Sequence, residues 1–477
     1  MTNRVAKALT QQLRESLDLF LKPTSAKGGM RGERSSSRVT GGFRRCLLLL
    51  MDRRFDWEVM FHHCWGYQSL CHDCLGMEWN YISGLDEDDK KNKGSGKSEK
   101  EGGKVVLDKE EDEFWRENCD KPFPVVAENI EKELQDYRGR LEEINQQSHQ
   151  NGDRGDGGKG GEGRKDEAEK TKLIEKALLS LPELTHRKHL IDVHTNIATH
   201  LLDIIKTRGL DAFYELEDQI IYESSVHDPS YYENAVLDLI KGNPFTADGS
   251  KRGIGTPNDR LRLFLIFYLH FGNIITKQQI DTYLKALNNA GCDTKVVKII
   301  QELKQFHHDD SRNEGDGLPE RGSVGRKRAM IKGMMTSVVS RGYRGIRSVA
   351  QNATQLVSTG SKSYRTTKIV SYFVSEQARN SNVEESELVL DGYKFYYPKM
   401  DPEEEKDKDD VRVKELERMV FEEAVVFMMG GGSYTEFQNI EECLCRNKEN
   451  PPKIIYGATQ MTAPEEFLDQ VTALQTE

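Results

Sequence analysis

The sequence predicts an α/β fold joined to a large helical part, and three stretches carry that prediction. Residues 424–434, AVVFMMGGGSY, and 453–459, KIIYGAT, are apolar runs of strand length that lead into glycine. Ala424 to Met429 has no polar residue, the pattern of a strand buried on both faces of a parallel sheet. Tyr434 to Cys445 can form a helix, which Pro451 and Pro452 stop. Strand, turn, helix and strand within about thirty residues is the size of a βαβ unit. A third run, Cys46 to Met51 followed by Asp52-Arg53-Arg54, is the natural sheet partner of the other two. Most of the chain between them places apolar residues at helical spacing.

Bulk numbers bound the function. At 477 residues the chain exceeds one core and predicts roughly two to four domains. Hydrophobic content of 36% and charged content of 31% describe a soluble protein with solvated linkers. The net charge of −11 argues against bulk nucleic-acid binding. Eight cysteines are too sparse for a disulfide scaffold and indicate a reducing compartment. The longest apolar run, Leu263 to Ile275, is broken by His270, Gly272 and Asn273 and is too short for a bilayer. No secretory signal is read. The helical stripe of residues 1–22 with the basic segment behind it partly matches a mitochondrial presequence, but Glu15 and Asp18 interrupt the acid-poor face. A packed helix is the better reading.

In order, residues 1–22 form an amphipathic helix and Gly28 to Gly42 a loop. Phe61 to Ile82 has helical spacing, and Gly84 to Gly103 is a charged, solvated loop. Val126, Ile130, Leu134, Tyr137, Leu141 and Ile144 recur at spacings of three or four, the seam of one arm of a hairpin. Gln147 to Lys170 is too polar to pack and is expected to be a disordered tip. Helix resumes at Thr171, with Pro182 inside it. Leu190, His194, Ile197, Leu201 and Ile204 share one face, and Gly209 is placed as a C-cap. Thr256-Pro257-Asn258-Asp259 opens the most apolar helix, with threonine as N-cap and proline in the first turn. Shorter helices follow around Ile280 to Leu284 and Val296 to Leu303. From Gly322 to Ser375 there are ten Lys or Arg and no Asp or Glu, a solvated or weakly membrane-facing surface with some packed positions. Leu388 to Pro398 reads as a β segment, Pro398 to Asp410 as an acidic linker, and Val411 to Phe421 as a helix.

Candidate chemistry is thin. Gly430-Gly431-Gly432 follows a strand and precedes a helix, where backbone N–H groups favour anions. Yet no Lys-Ser/Thr pair follows, and Thr435 stands where a dinucleotide pattern needs glycine. A tight turn is favoured. His62, His63, Cys64, Cys71, His72, Asp73 and Cys74 are zinc-ligand residue types, but Cys71-x-x-Cys74 lacks a second pair and simply extends a helix face. Asp52 and Arg53 lie at a strand's C-terminal edge, where α/β enzymes place their sites. An ion pair holding the corner is favoured. No catalytic, cofactor-binding or metal-ligating residue is assigned, and no cofactor is expected.

Five blocks together resemble the SM (Sec/Munc) family of SNARE-binding proteins, and within it the Sly branch that acts between ER and Golgi. They are LLLLMDRRFD with HHCWGYQSLCHDCL; PFPVVAENIEKELQDYR; SLPEL with HLIDVHTNIATHLLDIIKTRG; GTPNDRLRLFLIFYL; and AVVFMMGGGSYTEFQNI with KIIYGATQM. The resemblance implies a discontinuous parallel-sheet α/β domain, residues 1–83 and 411–477, around a large, mainly helical insertion, 84–410. It implies a family member whose first domain is missing before the helix at 1–22. It also implies a non-enzymatic regulator of vesicle docking and fusion that templates SNARE assembly on the hairpin Phe123–Ile144 and Thr171–Gly209. Pro182 takes the place of the family's hairpin switch point, and Pro182, Leu190, His194, Ile197 and Leu201 are the expected partner-binding residues. Syntaxin-type and R-SNARE proteins are the implied partners, with no nucleic acid, and membrane contact is peripheral. The protein is expected to be a cytoplasmic monomer at ER and Golgi membranes. The alternatives are a nucleotide- or metal-dependent α/β enzyme using Gly430–Gly432 or Cys71/Cys74, and a truncated, non-functional SM-like protein.

Overall fold

The computed structural model describes residues 2–21, 46–85, 104–150, 163–223, 227–243, 253–302, 363–375, 396, 420–445 and 450–474. The expected β segment at 388–398, apart from Tyr396, the acidic linker and most of the helix at 411–421 lie outside them. The described strands are β1 (Cys46–Asp52), β2 (Tyr81–Ser83), β3 (Lys104–Val106), β4 (Glu423–Met429) and β5 (Lys453–Ala458). The described residues fall into two compact units, one of 2–61, 294–302 and 363–474, the other of 62–293.

The first unit is built on a parallel sheet in the order β1-β4-β5. Leu47 lies opposite Ala424 and Met51 opposite Met428, while Ala424 and Met428 face Ile454 and Ala458 on the other side. One face is closed: Leu49, Met51, Ala424, Val426 and Met428 are buried against Ile369, Val370 and Phe373 of the helix Arg365–Val374, and against Ile440 and Leu444. Each fully buried side chain of this size stabilises by about 1.5–3 kcal/mol. The other face departs from the sequence reading. Val425 and Phe427 are only half-buried, and Leu48 and Ile455 are 41% and 53% exposed. The strands therefore alternate, because the described helices Arg365–Val374 and Tyr434–Ile440 pack on one face only.

Helix Arg365–Val374 lies within the basic segment expected to be a solvated or membrane-facing surface. Its hydroxyls dock it instead: Thr366 Oγ1 donates to Glu436 at 2.7 Å and Thr367 Oγ1 to Asn439 at 2.6 Å. The packed positions expected within that segment from its apolar residues, Met330, Met334, Val338 and Val339, lie outside the described residues.

The second unit is helical. Helix Tyr67–Leu75 ends at Gly76, whose φ of 61° is left-handed. The helix read from Phe61 to Ile82 is thus cut short, and Tyr81–Ser83 pairs antiparallel with Lys104–Val106. Helices Leu210–Glu223, Pro229–Lys241, Pro257–Phe271 and Lys277–Asn289 follow the hairpin. Thr256 caps the third of these, as the sequence predicts, and the cap is a reciprocal box with Asp259; Thr276 makes the same box with Gln279 for the fourth. Leu263 to Phe267 are all fully buried, the mark of a helix enclosed on every side.

Candidate functional site

The hairpin is made of helices Phe123–Gln150 and Gly163–Arg208, each reaching further into the charged tip than composition indicates. The seam is buried only at its base: Val126 and Ile130 are covered, whereas Leu134, Tyr137 and Leu141 are half-buried. Side chains from Ile144 to the end of that helix lie outside the described residues. Charged pairs link the two arms above that base. Arg187 makes two contacts with one oxygen of Glu133, at 2.9 and 2.5 Å, and Arg140 approaches Glu183 at 3.7 Å. Both pairs are partly exposed, so each contributes no more than about 1 kcal/mol and mainly fixes register.

Below the seam is a buried polar chain. Tyr67 Oη lies 2.9 Å from His194 Nδ1, and His194 Nε2 lies 2.9 Å from Asp112 Oδ2. Asp112 also caps the helix Glu113–Asn118 by accepting from the Trp115 N–H at 2.8 Å. Burial pushes the Tyr67 hydroxyl well above its ordinary value. Burial keeps that phenol neutral, and its bond to His194 makes it a fastening rather than a proton donor to solvent.

In the sheet unit, Arg53 turns inward from the end of β1. Its guanidinium meets both oxygens of Glu436, at 3.1 and 2.5 Å, and also donates to the carbonyls of Gly431 and Asp56. Glu436 further accepts from Thr366 and from Tyr456 Oη at 2.6 Å. The expected corner ion pair thus has two separate halves, because Asp52 pairs outward with Arg54 at 3.1 Å.

The adjacent glycine turn is closed on itself. Gly430 and Gly431 have φ of 97° and 103°, which only glycine adopts cheaply. Their N–H groups both donate to Thr459 Oγ1, Gly432 N–H donates to the Gln460 carbonyl, and Ser433 N–H to Tyr456 Oη. The donors a phosphate would need are spent within the chain.

A family model described as the Sec1 family matches residues 2–470. The chain belongs to the Sec1 family. Human Sec1 family domain-containing protein 1 is 29% identical over 480 residues, covering 98% of this chain and 65% of its own length. The protein sly1 of Schizosaccharomyces pombe is 30% identical over 438 residues, covering 90% of this chain and 61% of its own. This Sec1-family chain therefore spans less than two thirds of the length of those relatives. Among solved structures, Sly1p in complex with an N-terminal peptide of Sed5p matches with TM-score 0.63 at 23% identity, covering all of this chain and 63% of that one. The SM protein Vps45 in complex with the Qa SNARE Tlg2 matches with TM-score 0.53 at 17% identity, covering 98% and 63%. The fold is that of SM proteins: a parallel α/β sheet with a large helical part.

Within this Sec1-family fold the five expected partner-binding residues do not form one surface. Pro182 is exposed and Leu190 half-buried, while His194, Ile197 and Leu201 are wholly enclosed. Helical periodicity put the last three on one face, and that face turned out to be the one that packs inward. The half-open residues Leu134, Tyr137 and Leu141 lie on the seam that the spacing did identify. Cys71 is buried, and burial pushes its thiol well above the ordinary range, with Cys64 and Cys119 adding to it. His63 and Asp73, grouped with it by residue type, instead form ion pairs with Glu217 and Arg262.

Proposed function

We propose that this chain is a SNARE-binding regulator of vesicle docking and fusion in ER–Golgi transport, acting without catalysis by aligning SNARE helices along its hairpin. The observation that carries this reading is the apolar stripe of Leu134, Tyr137 and Leu141, half-open above a closed base. Such a stripe suits an incoming amphipathic helix, which buries its own apolar face in the same seam. Pro182 sits exposed within the facing helix, where its missing N–H removes one backbone bond and makes a point of easy bending. The Sed5p peptide in the Sly1p structure and the Tlg2 chain in the Vps45 structure support syntaxin-type partners, with R-SNAREs completing the bundle.

The organisation that goes with this function is an interrupted α/β domain, 1–83 and 411–477, around a helical insertion. Its support is the pairing of β1 with β4, whose flanking Arg53 and Gly431 are 378 positions apart. The closed hydrogen bonding of residues 430–433 favours a binding protein over a nucleotide-dependent enzyme. No helix of the described residues is long and apolar enough to cross a membrane. The chain acts as a cytoplasmic monomer, reaching ER and Golgi membranes through its partners.

The test is capture of purified ER–Golgi syntaxins and R-SNAREs at low salt. Wild type binds, and Leu134→Asp with Tyr137→Asp weakens binding about five- to thirtyfold, since two half-buried apolar contacts supply on the order of 1–2 kcal/mol. No capture by wild type, or equal capture by a variant of unchanged circular dichroism, removes the hairpin reading. Pro182→Ala, which stiffens that helix, strengthens capture; an unchanged affinity rules out Pro182 as the hinge.

A further inference from the structure

His63 is fully buried in the helical unit and touches a carboxylate with each ring nitrogen. Nδ1 lies 2.8 Å from Glu217 Oε1 and Nε2 lies 3.1 Å from Asp259 Oδ1. The His63 backbone N–H donates to the other Glu217 oxygen at 2.8 Å, so that carboxylate cannot swing away. A neutral imidazole has one N–H and one lone pair. Two carboxylates flanking one ring are satisfied together only by the imidazolium.

The surroundings agree with that charge. Arg208, the last residue of the long hairpin helix, holds Asp259 through Nε at 3.0 Å and through its second nitrogen. Arg262 holds Asp73 at 2.9 Å and donates to the His62 carbonyl at 3.2 Å. With His63 charged, three cations face three anions: His63, Arg208 and Arg262 against Asp73, Glu217 and Asp259. Cys74, in contact with Arg208, adds nothing, because burial keeps its thiol protonated. Removing the His63 proton leaves a net negative charge around a fully buried ring, a costly state.

We propose that the His63 proton is the removable pin of a six-charge clasp that fastens the base of the long hairpin helix, and that losing it loosens that base. Burial and Arg262 oppose the charge on His63, but Glu217 and the hydrogen bonds that the ring donates to both carboxylates outweigh them and raise its pKa above 6.5. Linkage gives the sign. The clasp is fully fastened below about pH 6.5, weakens as pH rises through the raised folded value, and levels off beyond it.

Hydrogen exchange of the full chain between pH 6 and 9.5, corrected for intrinsic base catalysis, tests this. In segments 201–223 and 257–271 the opening constant rises up to about tenfold per pH unit within that window. Residues 424–429 show no such rise above pH 7. Glu217→Gln removes one anion, lets a neutral His63 balance the cluster, and flattens the profile. A flat wild-type profile, a slope shared equally by 424–429, or an unaltered slope in Glu217→Gln overturns the proposal. Should that variant not fold, the wild-type comparison between segments decides alone.

Discussion

In the sheet unit a buried cation, Arg53, is gripped by Glu436 from a helix 383 positions away. In the helical unit the corresponding role falls to His63, gripped by Glu217 and Asp259, 154 and 196 positions away. Both knots tie distant segments by charge rather than by apolar contact alone, and both are fully enclosed. Their cations differ in one respect. A guanidinium does not lose its proton in a protein, whereas an imidazolium does. The sheet corner is therefore permanent over the range where the helical clasp is conditional. The permanent knot sits under the glycine turn, and the conditional one sits at the root of the hairpin proposed to handle partners.

The comparison is broken most forcefully at Glu436. Glu436→Ala leaves Arg53 buried without its two-oxygen partner and removes the acceptor of the Thr366 and Tyr456 hydroxyls. Removing one partner of such a pair costs on the order of 3–5 kcal/mol. Urea denaturation followed by far-UV circular dichroism is expected to show an unfolding free energy lowered by that amount. A shift below about 1 kcal/mol would mean the knot is no stronger than a surface pair.

The next test separates the two units by pH. Asp56, whose carbonyl accepts from Arg53, has its carboxyl pushed up to about 7 by burial first and by Glu58 and Glu436 next. A carboxyl raised in the fold binds its proton more tightly there than in the unfolded chain. Its contribution is intact below about pH 4, falls as pH rises towards 7, and is level above. The sheet unit is thus expected to lose protection between about pH 4 and 7, and Asp56→Asn to abolish that loss. The helical unit loses protection only above about 6.5. Exchange profiles that move together in both units would show that one global transition, not two local knots, governs the response.

Sequence reading reached some of this and missed the rest for physical reasons. Strands β1, β4 and β5 were legible because a continuous apolar run needs no partner to identify it. The N-cap at Thr256 was legible because threonine before a proline in the first turn is a local pattern, whereas the side chain of Asp259 closing the box showed only in the structure. The partners of Arg53 and His63 were not, since ion pairs across hundreds of residues leave no local pattern. Asp52 stood next to Arg53 and looked like its partner. His63 stood among cysteines as one of several zinc-ligand residue types, and that grouping gave no hint of its carboxylate partners. Helix Arg365–Val374 was hidden by the basic segment around it, although Ile369, Val370 and Phe373 carry helical spacing. On the hairpin, periodicity found the apolar face of His194, Ile197 and Leu201 but could not say whether chain or partner covers it.

The smallest effect is the most discriminating, because two caps of the same design sit in different electrostatic settings. Thr256 and Thr276 each accept from the backbone N–H three residues on, at 3.2 and 3.3 Å. Each box is closed by a side chain reaching back, Asp259 in one case and Gln279 in the other. Gln279 makes the exposed box with Thr276, whereas Asp259 also holds His63 and Arg208. Loss of a threonine cap alone costs about 1 kcal/mol, so Thr276→Ala should lower the unfolding free energy from urea denaturation by that amount. Thr256→Ala should cost more, because Asp259 loses the hydroxyl that fixes its helix turn and with it the geometry of the clasp. The excess should fade above the pH at which His63 gives up its proton, since a loosened clasp no longer depends on where Asp259 points. Equal costs for the two variants at pH 6.5 would uncouple the cap from the clasp.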